Sequence, residues 1–342
     1  MCLFFFMLKK KPEVTASGEK EKEMEEILRK RDTFQKFTSY KEMEKLLDVM
    51  SKTDQWLSAR MANMKIRYVN PGTSPEYIYE GATAEQVGDA YRQGTMTLKV
   101  DGKNYLLNPT AYLTLGQSTE TCCRLLSKFL SKEHFAEAAS FYNEGFSFLG
   151  KENVLLIRGK QVMAFFSKNY CILEQKQVFQ RTNELLLQRF PGAVFVKGSY
   201  APQESNILYQ LCGAENQLFA KYKDAWEKSG FDTQELKNAK VFARVTTGDT
   251  GEVTFKITPL IYTRSFLPLG EAVKIKHYGK VGIKDVEAVV FQIFSNLEGG
   301  MNRLAEMMEI DIAHPLSCIK KIVKEIGLER IFPSVVETLT GS

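Results

Sequence analysis

Asn153–Leu173, NVLLIRGKQVMAFFSKNYCIL, sets how the rest of the chain is read. Two apolar runs, Val154–Ile157 and Val162–Phe166, flank Arg158-Gly159-Lys160. Glycine tolerates the positive φ of a tight turn, so the stretch predicts a β-hairpin. Both runs are nearly continuous in apolar residues, which predicts strands covered on both faces. The second strand leaves through Ser167-Lys168-Asn169-Tyr170. A helical pattern follows over Glu174–Phe190 and stops at Pro191-Gly192. Downstream, Lys240–Val245 and Val253–Ile257 flank Thr246-Thr247-Gly248-Asp249-Thr250-Gly251, a second strand–turn–strand unit.

Working outward, Thr95–Val100 and Lys103–Leu107 around Asp101-Gly102 predict another hairpin, with alternating Met96, Leu98 and Val100 marking a half-buried strand. Lys65–Val69, Ala193–Val196, Asn206–Cys212 and Leu260–Phe266 read as further extended segments. Ala82–Arg92, with Thr83 as a cap, most of Thr110–Leu149, and Leu218–Lys228 read as helical. Leu125, Leu126, Phe129 and Leu130 make one apolar helix face. From Glu19 to Met64 the periodicity is also helical, through Met43, Leu46, Leu47, Met50 and Leu57, with a break and cap at Thr38-Ser39. From Ile283 the pattern is again helical, broken at Gly299-Gly300, Pro315 and Pro333. Strands and helices come in blocks, not in strict alternation. That predicts an α+β fold in which antiparallel hairpins form mixed or antiparallel sheets packed with helices. The predicted division is a frayed tail over 1–18, a helical segment over 19–64, an α+β core over 65–282 and a helical region over 283–342.

The chain has 342 residues, 44% apolar and 25% charged, the balance of a globular protein. It carries 46 basic and 41 acidic side chains, a net charge of +5. That permits a polyanionic partner without demanding one. Six cysteines, among them adjacent Cys122 and Cys123, include no C-x-x-C pair and read as reduced thiols of a cytoplasmic protein. Three dispersed histidines argue against zinc. The apolar run Cys2–Leu8 is too short to span a bilayer and precedes its lysines, so it predicts a frayed or start-site-extended tail and no membrane association.

Several motif matches dissolve on inspection. Gly145–Lys151, GFSFLGK, has phosphate-loop spacing, but Glu152 stands where Ser or Thr should follow, and a helix precedes where a strand should. A helix C-cap glycine accounts for it better. Ser317-Cys318-Ile319-Lys320 has S-x-x-K spacing without companion motifs. Asp249 and Glu252 could hold a metal or exchange protons, yet an ordinary turn explains them without a third ligand. No cofactor is expected. Basic residues interleaved with aromatics carry more information. In an extended segment Lys274, Lys276 and Tyr278 would share one face, with Ile275 and His277 on the other, and Lys280 follows. Such a face could bind phosphates on lysine and stack bases on tyrosine, with Arg158, Lys160 and Lys168 joining if the two hairpin units pack side by side. The plain alternative is a strand edge guarded by lysines.

LLIRGKQVMAFFSKNYCILEQKQVFQ and FARVTTGDTGEVTFKITPLIYTRSFLPLGEAVKIKHYGK resemble the two signatures of a family of phage- and plasmid-encoded proteins grouped by a domain of unknown function. The resemblance covers residues 105–335. Arg158, Ala164, Ser167, Tyr170, Gly248, Gly251, Arg264 and His277 fall at its motif positions. Thr246-Thr247 replaces the usual asparagine-serine, and Phe266–Gly270 replaces a cysteine-x-asparagine-glycine. The resemblance implies a mobile-element origin, a host-cell cytoplasmic location and a place in DNA metabolism.

The leading expectation is a non-enzymatic protein that binds single-stranded DNA. Its contact residues would be Arg158, Lys160, Lys168, Tyr170, Arg264, Lys274, Lys276, His277, Tyr278 and Lys280. A second reading is a host-protein-binding factor acting through the Glu19–Met64 helices; a third is an enzyme with a site around Ser167, Tyr170 and His277. A homo-oligomer is compatible with all three.

Overall fold

A computed structural model describes residues 33–73, 84–213, 223–224, 227–228, 238–262, 265–269, 271–277, 279, 281–311 and 313–325. In chain order the elements begin with β1 (Gln35–Phe37), α1 (Tyr40–Thr53), β2 (Asp54–Arg60) and β3 (Met64–Val69). Next come α2 (Ala84–Gln93), β4 (Thr95–Val100), β5 (Lys103–Leu107), α3 (Ala111–Ser118), α4 (Arg124–Ser131) and α5 (Phe135–Leu149). The central hairpin is β6 (Glu152–Arg158) and β7 (Gln161–Ser167), followed by α6 (Gln175–Arg189), β8 (Gly192–Tyr200) and β9 (Ser205–Cys212). The chain continues through β10 (Lys240–Thr247), β11 (Phe255–Tyr262), β12 (Phe266–Pro268), β13 (Val273–Ile275), α7 (Ile283–Met308) and α8 (Pro315–Glu325).

The strands form two sheets, an α+β architecture as the blockwise pattern predicts. One is 6-stranded, in the order β2-β6-β7-β5-β4-β3. Its pairings are antiparallel except β5 with β7, which run parallel. The other is 7-stranded, β1-β8-β9-β10-β11-β12 with β13 also on β11, and antiparallel throughout.

The central hairpin is buried on both faces. Leu155, Ile157, Val162 and Phe165 face the core under α3–α5. Val154, Leu156, Ala164 and Phe166 form the opposite face with Trp56 and Tyr170. A register shift after Leu156, which pairs with Ala164 while Ile157 pairs with Val162, leaves Met163 as an extra residue, and Met163 joins Ala164 on that second face. The β4–β5 turn has positive φ at Asp101 (47°) and Gly102 (77°), as a two-residue hairpin turn requires. In β4, Thr95 and Thr97 are buried as well as Met96 and Leu98, so this strand is covered on both sides and not half-buried.

The 7-stranded sheet buries one face. Ile207, Tyr209, Val241, Ala243, Val245 and Ile257 share a core with Met43 and Leu47 of α1, Val178 and Phe179 of α6, and Val286, Val290 and Ile293 of α7.

Three further expectations are corrected. The helical periodicity does not run through Leu57: Ser39 caps α1 as predicted, accepting from the Glu42 N–H, but the helix ends at Thr53. Asp54–Arg60 pairs instead with β6 from Asp54↔Arg158 to Arg60↔Glu152. Cross-strand pairing outweighs local propensity there, and β1 and β2 make 35–60 part of the sheets. Gly299-Gly300 does not break α7, which is continuous over Ile283–Met308. A Cβ on Gly300 would lie 3.1 Å from Leu269 Cγ, so the missing side chain is used for close packing. On α4, Leu126 is buried but Leu125 is half-exposed. Gly150, with φ +56°, is the C-cap of α5, as the C-cap reading preferred to a phosphate loop anticipates. Residues 1–32, Thr83, most of Leu218–Lys228 and Pro333 lie outside the described residues. Among the described residues no helix is long and apolar enough to cross a membrane.

The sheets are joined through Arg158 at the end of β6. Its Nε and Nη2 donate to the two carboxylate oxygens of Asp54 at 2.9 and 2.7 Å. Nη1 donates to the Tyr200 hydroxyl at 2.8 Å, and Nη2 lies 3.5 Å from Asp249 Oδ2 in the β10–β11 turn. Arg158 and Asp54 belong to one sheet, Tyr200 and Asp249 to the other. Replacing Arg158 by Met leaves two buried carboxylates without their cation. Breaking such a pair costs about 3–5 kcal/mol. Urea unfolding of Arg158→Met is expected to show a loss of that order; a loss below about 1 kcal/mol would mean the joint is dispensable.

Candidate functional site

Side-chain alternation on the 7-stranded sheet assembles a basic face. Successive register partners place Lys36, Ser199, Asn206, Thr246, Lys256 and Lys274 in one row across it. Phe37, Gly198, Ile207, Val245, Ile257 and Val273 alternate with them toward the helices. The row therefore lies on the face away from α1, α6 and α7. Lys197, opposite Leu208, and Arg244, opposite Leu208 and Thr258, stand in the next row, and Lys240 lies at the end of β10. Lys36, Lys197, Lys240, Arg244 and Lys274 are exposed and Lys256 is half-buried. The outward positions of these described strands carry no Asp or Glu. Glu204, in the turn before β9, accepts from the Asn206 side chain at 2.7 Å.

Lys256 and Lys274 are directly opposed on antiparallel strands. Like charges in that arrangement repel. Neither forms an ion pair with a described residue, and the same holds for Lys197, Arg244 and Lys276. Edge protection accounts for Lys36 and Lys274, which stand on edge strands. It does not account for Lys197, Arg244 or Lys256, whose strands are paired on both sides. At one end of the face, Phe242 meets Phe266 edge-on at 5.0 Å and Tyr262 lies 4.9 Å from Phe266.

Beside this face, a cleft of ≈ 420 Å³ opens between the two sheets. Gln117, Ser167, Tyr170, Thr254, Lys276 and His277 are among its lining residues. The chain after β7 and the chain after β13 run together here: Cys171 N–H donates to the His277 carbonyl at 3.2 Å, and Gly279 N–H to the Asn169 carbonyl at 3.1 Å. Tyr170 stacks on Phe166 at 3.8 Å, with Trp56 6.0 Å away. The Tyr170 hydroxyl lies 3.1 Å from His277 Nδ1. Burial pushes the Tyr170 hydroxyl well above its ordinary range and pulls His277 below its own. Tyr170 therefore stays protonated and His277 neutral near pH 7. His277 is 9% exposed, and its Nε2 is buried with no hydrogen-bond partner among the described residues. Gly251, with φ +78°, allows the turn to touch this wall: a Cβ there would lie 2.6 Å from Phe166 Cε1.

The predicted contact residues separate accordingly. Lys168, Lys274 and Lys276 are exposed, and Ile275 and His277 point inward, as the alternation predicts. Tyr170 and His277 come together, but one face of Tyr170 is already covered by Phe166. Arg158 is corrected: it is 1% exposed and its guanidinium is held between carboxylates, so it cannot reach a solvent-side phosphate. Burial alone would lower the guanidinium, but Tyr200, Asp54 and Asp249 hold it above its ordinary value. Lys160 is also corrected. It lies in the β6–β7 turn, across all of β7 from Lys168, about 25 Å at the rise of a strand. Arg264, Tyr278 and Lys280 lie outside the described residues. Ser167 is exposed in the cleft and makes no side-chain hydrogen bond with Tyr170 or His277.

Lys36, Lys197, Lys240, Arg244 and Lys256 are missed by a search for clusters along the sequence. Only strand register brings them together. Asp249 is missed too: it is not merely a turn residue but a carboxylate buried against Arg158. The chain matches no protein-family model, no curated protein and no solved structure.

Burial, with Asp54 adding to it against the pull of Arg158, raises the Asp249 carboxyl to about 7. The unfolded chain releases this proton near the ordinary value of 3.8. Between those values the folded state holds the extra proton, so this group's contribution to stability falls as pH rises. Thermal unfolding of the wild type should show a decline from pH 5 to pH 8 that Asp249→Asn flattens. Parallel profiles for the two proteins would contradict the assignment.

Proposed function

We propose that the protein binds single-stranded nucleic acid on the outward face of its 7-stranded sheet. DNA is the form favoured by the resemblance to phage- and plasmid-encoded proteins. One observation carries the reading: Lys197, Arg244, Lys256 and Lys274 stand on a sheet face with no carboxylate at its outward strand positions, three of them where edge protection has no role. A flexible strand can follow such a face with successive phosphates, and each neutralised phosphate releases counterions. Exposed Phe266, with Tyr262 beside it, offers a stacking surface at one end. Lys168 and Lys276 extend the charge toward the cleft.

The host-protein reading draws less support. The apolar face of α1 is spent on the protein's own core, with Met43, Leu46, Leu47 and Met50 at 0–3% exposure. The enzyme reading gains a cleft but draws no support from Ser167, which has no base within hydrogen-bond reach among the described residues.

Fluorescence anisotropy with labelled single-stranded DNA, single-stranded RNA and duplex, across a salt series, tests the proposal. Single strands should bind more tightly than duplex. Combined Lys197→Ala, Arg244→Ala, Lys256→Ala and Lys274→Ala should weaken binding at least about tenfold. The same variant should reduce the log–log salt slope by about 3, four contacts at ~0.7 each. No binding at low salt, or an unchanged slope in a variant that melts like wild type, would overturn it.

A further inference from the structure

We infer that the bound strand crosses the β-strands at right angles, along the line Lys36, Lys197, Arg244, Lys256, Lys274, and that Phe34 stacks a base at the β1 end of this line. This inference rests on the strand-binding reading and gives that reading a path. The line follows from register. Lys36, Lys256 and Lys274 belong to one row of outward positions, and Lys197 and Arg244 to the next. From β1 to β13 the row passes five strand spacings, about 24 Å, and successive cations along the line stand about 5–10 Å apart. β1, β8, β11 and β13 contribute one outward cation each, so a ligand lying along any one of them would meet few of the charges. A ligand running across the strands meets them in succession. A strand at the ~3.4 Å rise of stacked DNA covers the line with about seven nucleotides, and a more extended one with fewer.

Phe34 supplies an independent observation. It precedes β1 and is 62% exposed, whereas Phe37 packs inward against α1. Lys36 Nζ stands over the Phe34 ring, 5.8 Å from its centroid, which sets the ring on the outward side with the cations. Among the described residues no other ring packs on Phe34, unlike Tyr170, which Phe166 closes. A single exposed phenylalanine is ordinary on most surfaces. Here it borders an edge strand, where charge guards against pairing with another chain and an open apolar ring works against that guard. Edge protection therefore explains Lys36 and not Phe34. A base stacked on the ring, with its phosphate at the Lys36 ammonium, uses both.

Fluorescence anisotropy of the full chain with a labelled thymidine 12-mer, a thymidine 4-mer and an abasic 12-unit strand of the same charge tests it. Phe34→Ala should weaken the thymidine 12-mer at least about fivefold without changing the salt slope, and should leave the abasic strand within about twofold. Phe34→Tyr should bind as wild type does. Lys36→Ala should lower the log–log salt slope by about 0.7, one phosphate contact. The 4-mer, too short for the line, should bind at least about tenfold more weakly than the 12-mer. In Phe34→Trp, at this exposed position, the thymidine 12-mer should quench the added emission and the abasic strand should not. Salt-dependent binding by the wild type, with Phe34→Ala either indistinguishable from it or weakened equally for the abasic strand, would overturn the stacking and leave strand binding standing. Equal binding of 4-mer and 12-mer would overturn the line. No binding of the 12-mer at low salt would overturn both this inference and the reading it rests on.

Discussion

A buried guanidinium holds the two sheets in register. Arg158 is 1% exposed, and the desolvation of a charge at such depth costs several kcal/mol unless the surroundings replace water. Asp54 replaces much of it with a bidentate contact, Tyr200 adds a hydroxyl and Asp249 a second carboxylate. The geometry works only when the end of β6 and the start of β2 meet the end of β8 and the β10–β11 turn. An apolar contact would tolerate sliding; a forked donor facing two fixed carboxylate oxygens does not. The shape of the cleft between the sheets depends on this fixed arrangement, because the same turn that carries Asp249 also carries Gly251 against Phe166.

The two faces of the 7-stranded sheet divide the work. One is packed against α1, α6 and α7 and supplies the stability of a core. The other keeps only a small apolar cluster, Leu208, Phe242 and Leu260 with Tyr262, among its cations. A sheet can present charge in regular rows because its side chains alternate strictly and neighbouring strands lie about 4.8 Å apart. Rows of like charge are costly in the free protein.

Tyr170 is best understood as a connecting residue. It packs on Phe166 of the hairpin and meets His277 of the chain after β13, so it binds two sequence-distant segments.

Much of the secondary structure was legible. The hairpin at Arg158-Gly159-Lys160, the Asp101-Gly102 turn, the Ser39 cap and the Gly150 stop each rest on local backbone chemistry, which the sequence carries in full. Lys274, Lys276 and His277 fell on the predicted faces because alternation is also local. The strand at Asp54–Arg60 was not legible, since its pairing partner lies about a hundred residues away at β6. Nor was the basic face: Lys36, Lys197, Arg244 and Lys256 are scattered in the chain and adjacent only through register. Arg158 shows the same division most plainly. The sequence by itself determined that an arginine closes the central hairpin. Only the tertiary structure decided that this arginine is a buried joint and not a surface contact, because burial and ion pairing depend on what the rest of the chain brings to it.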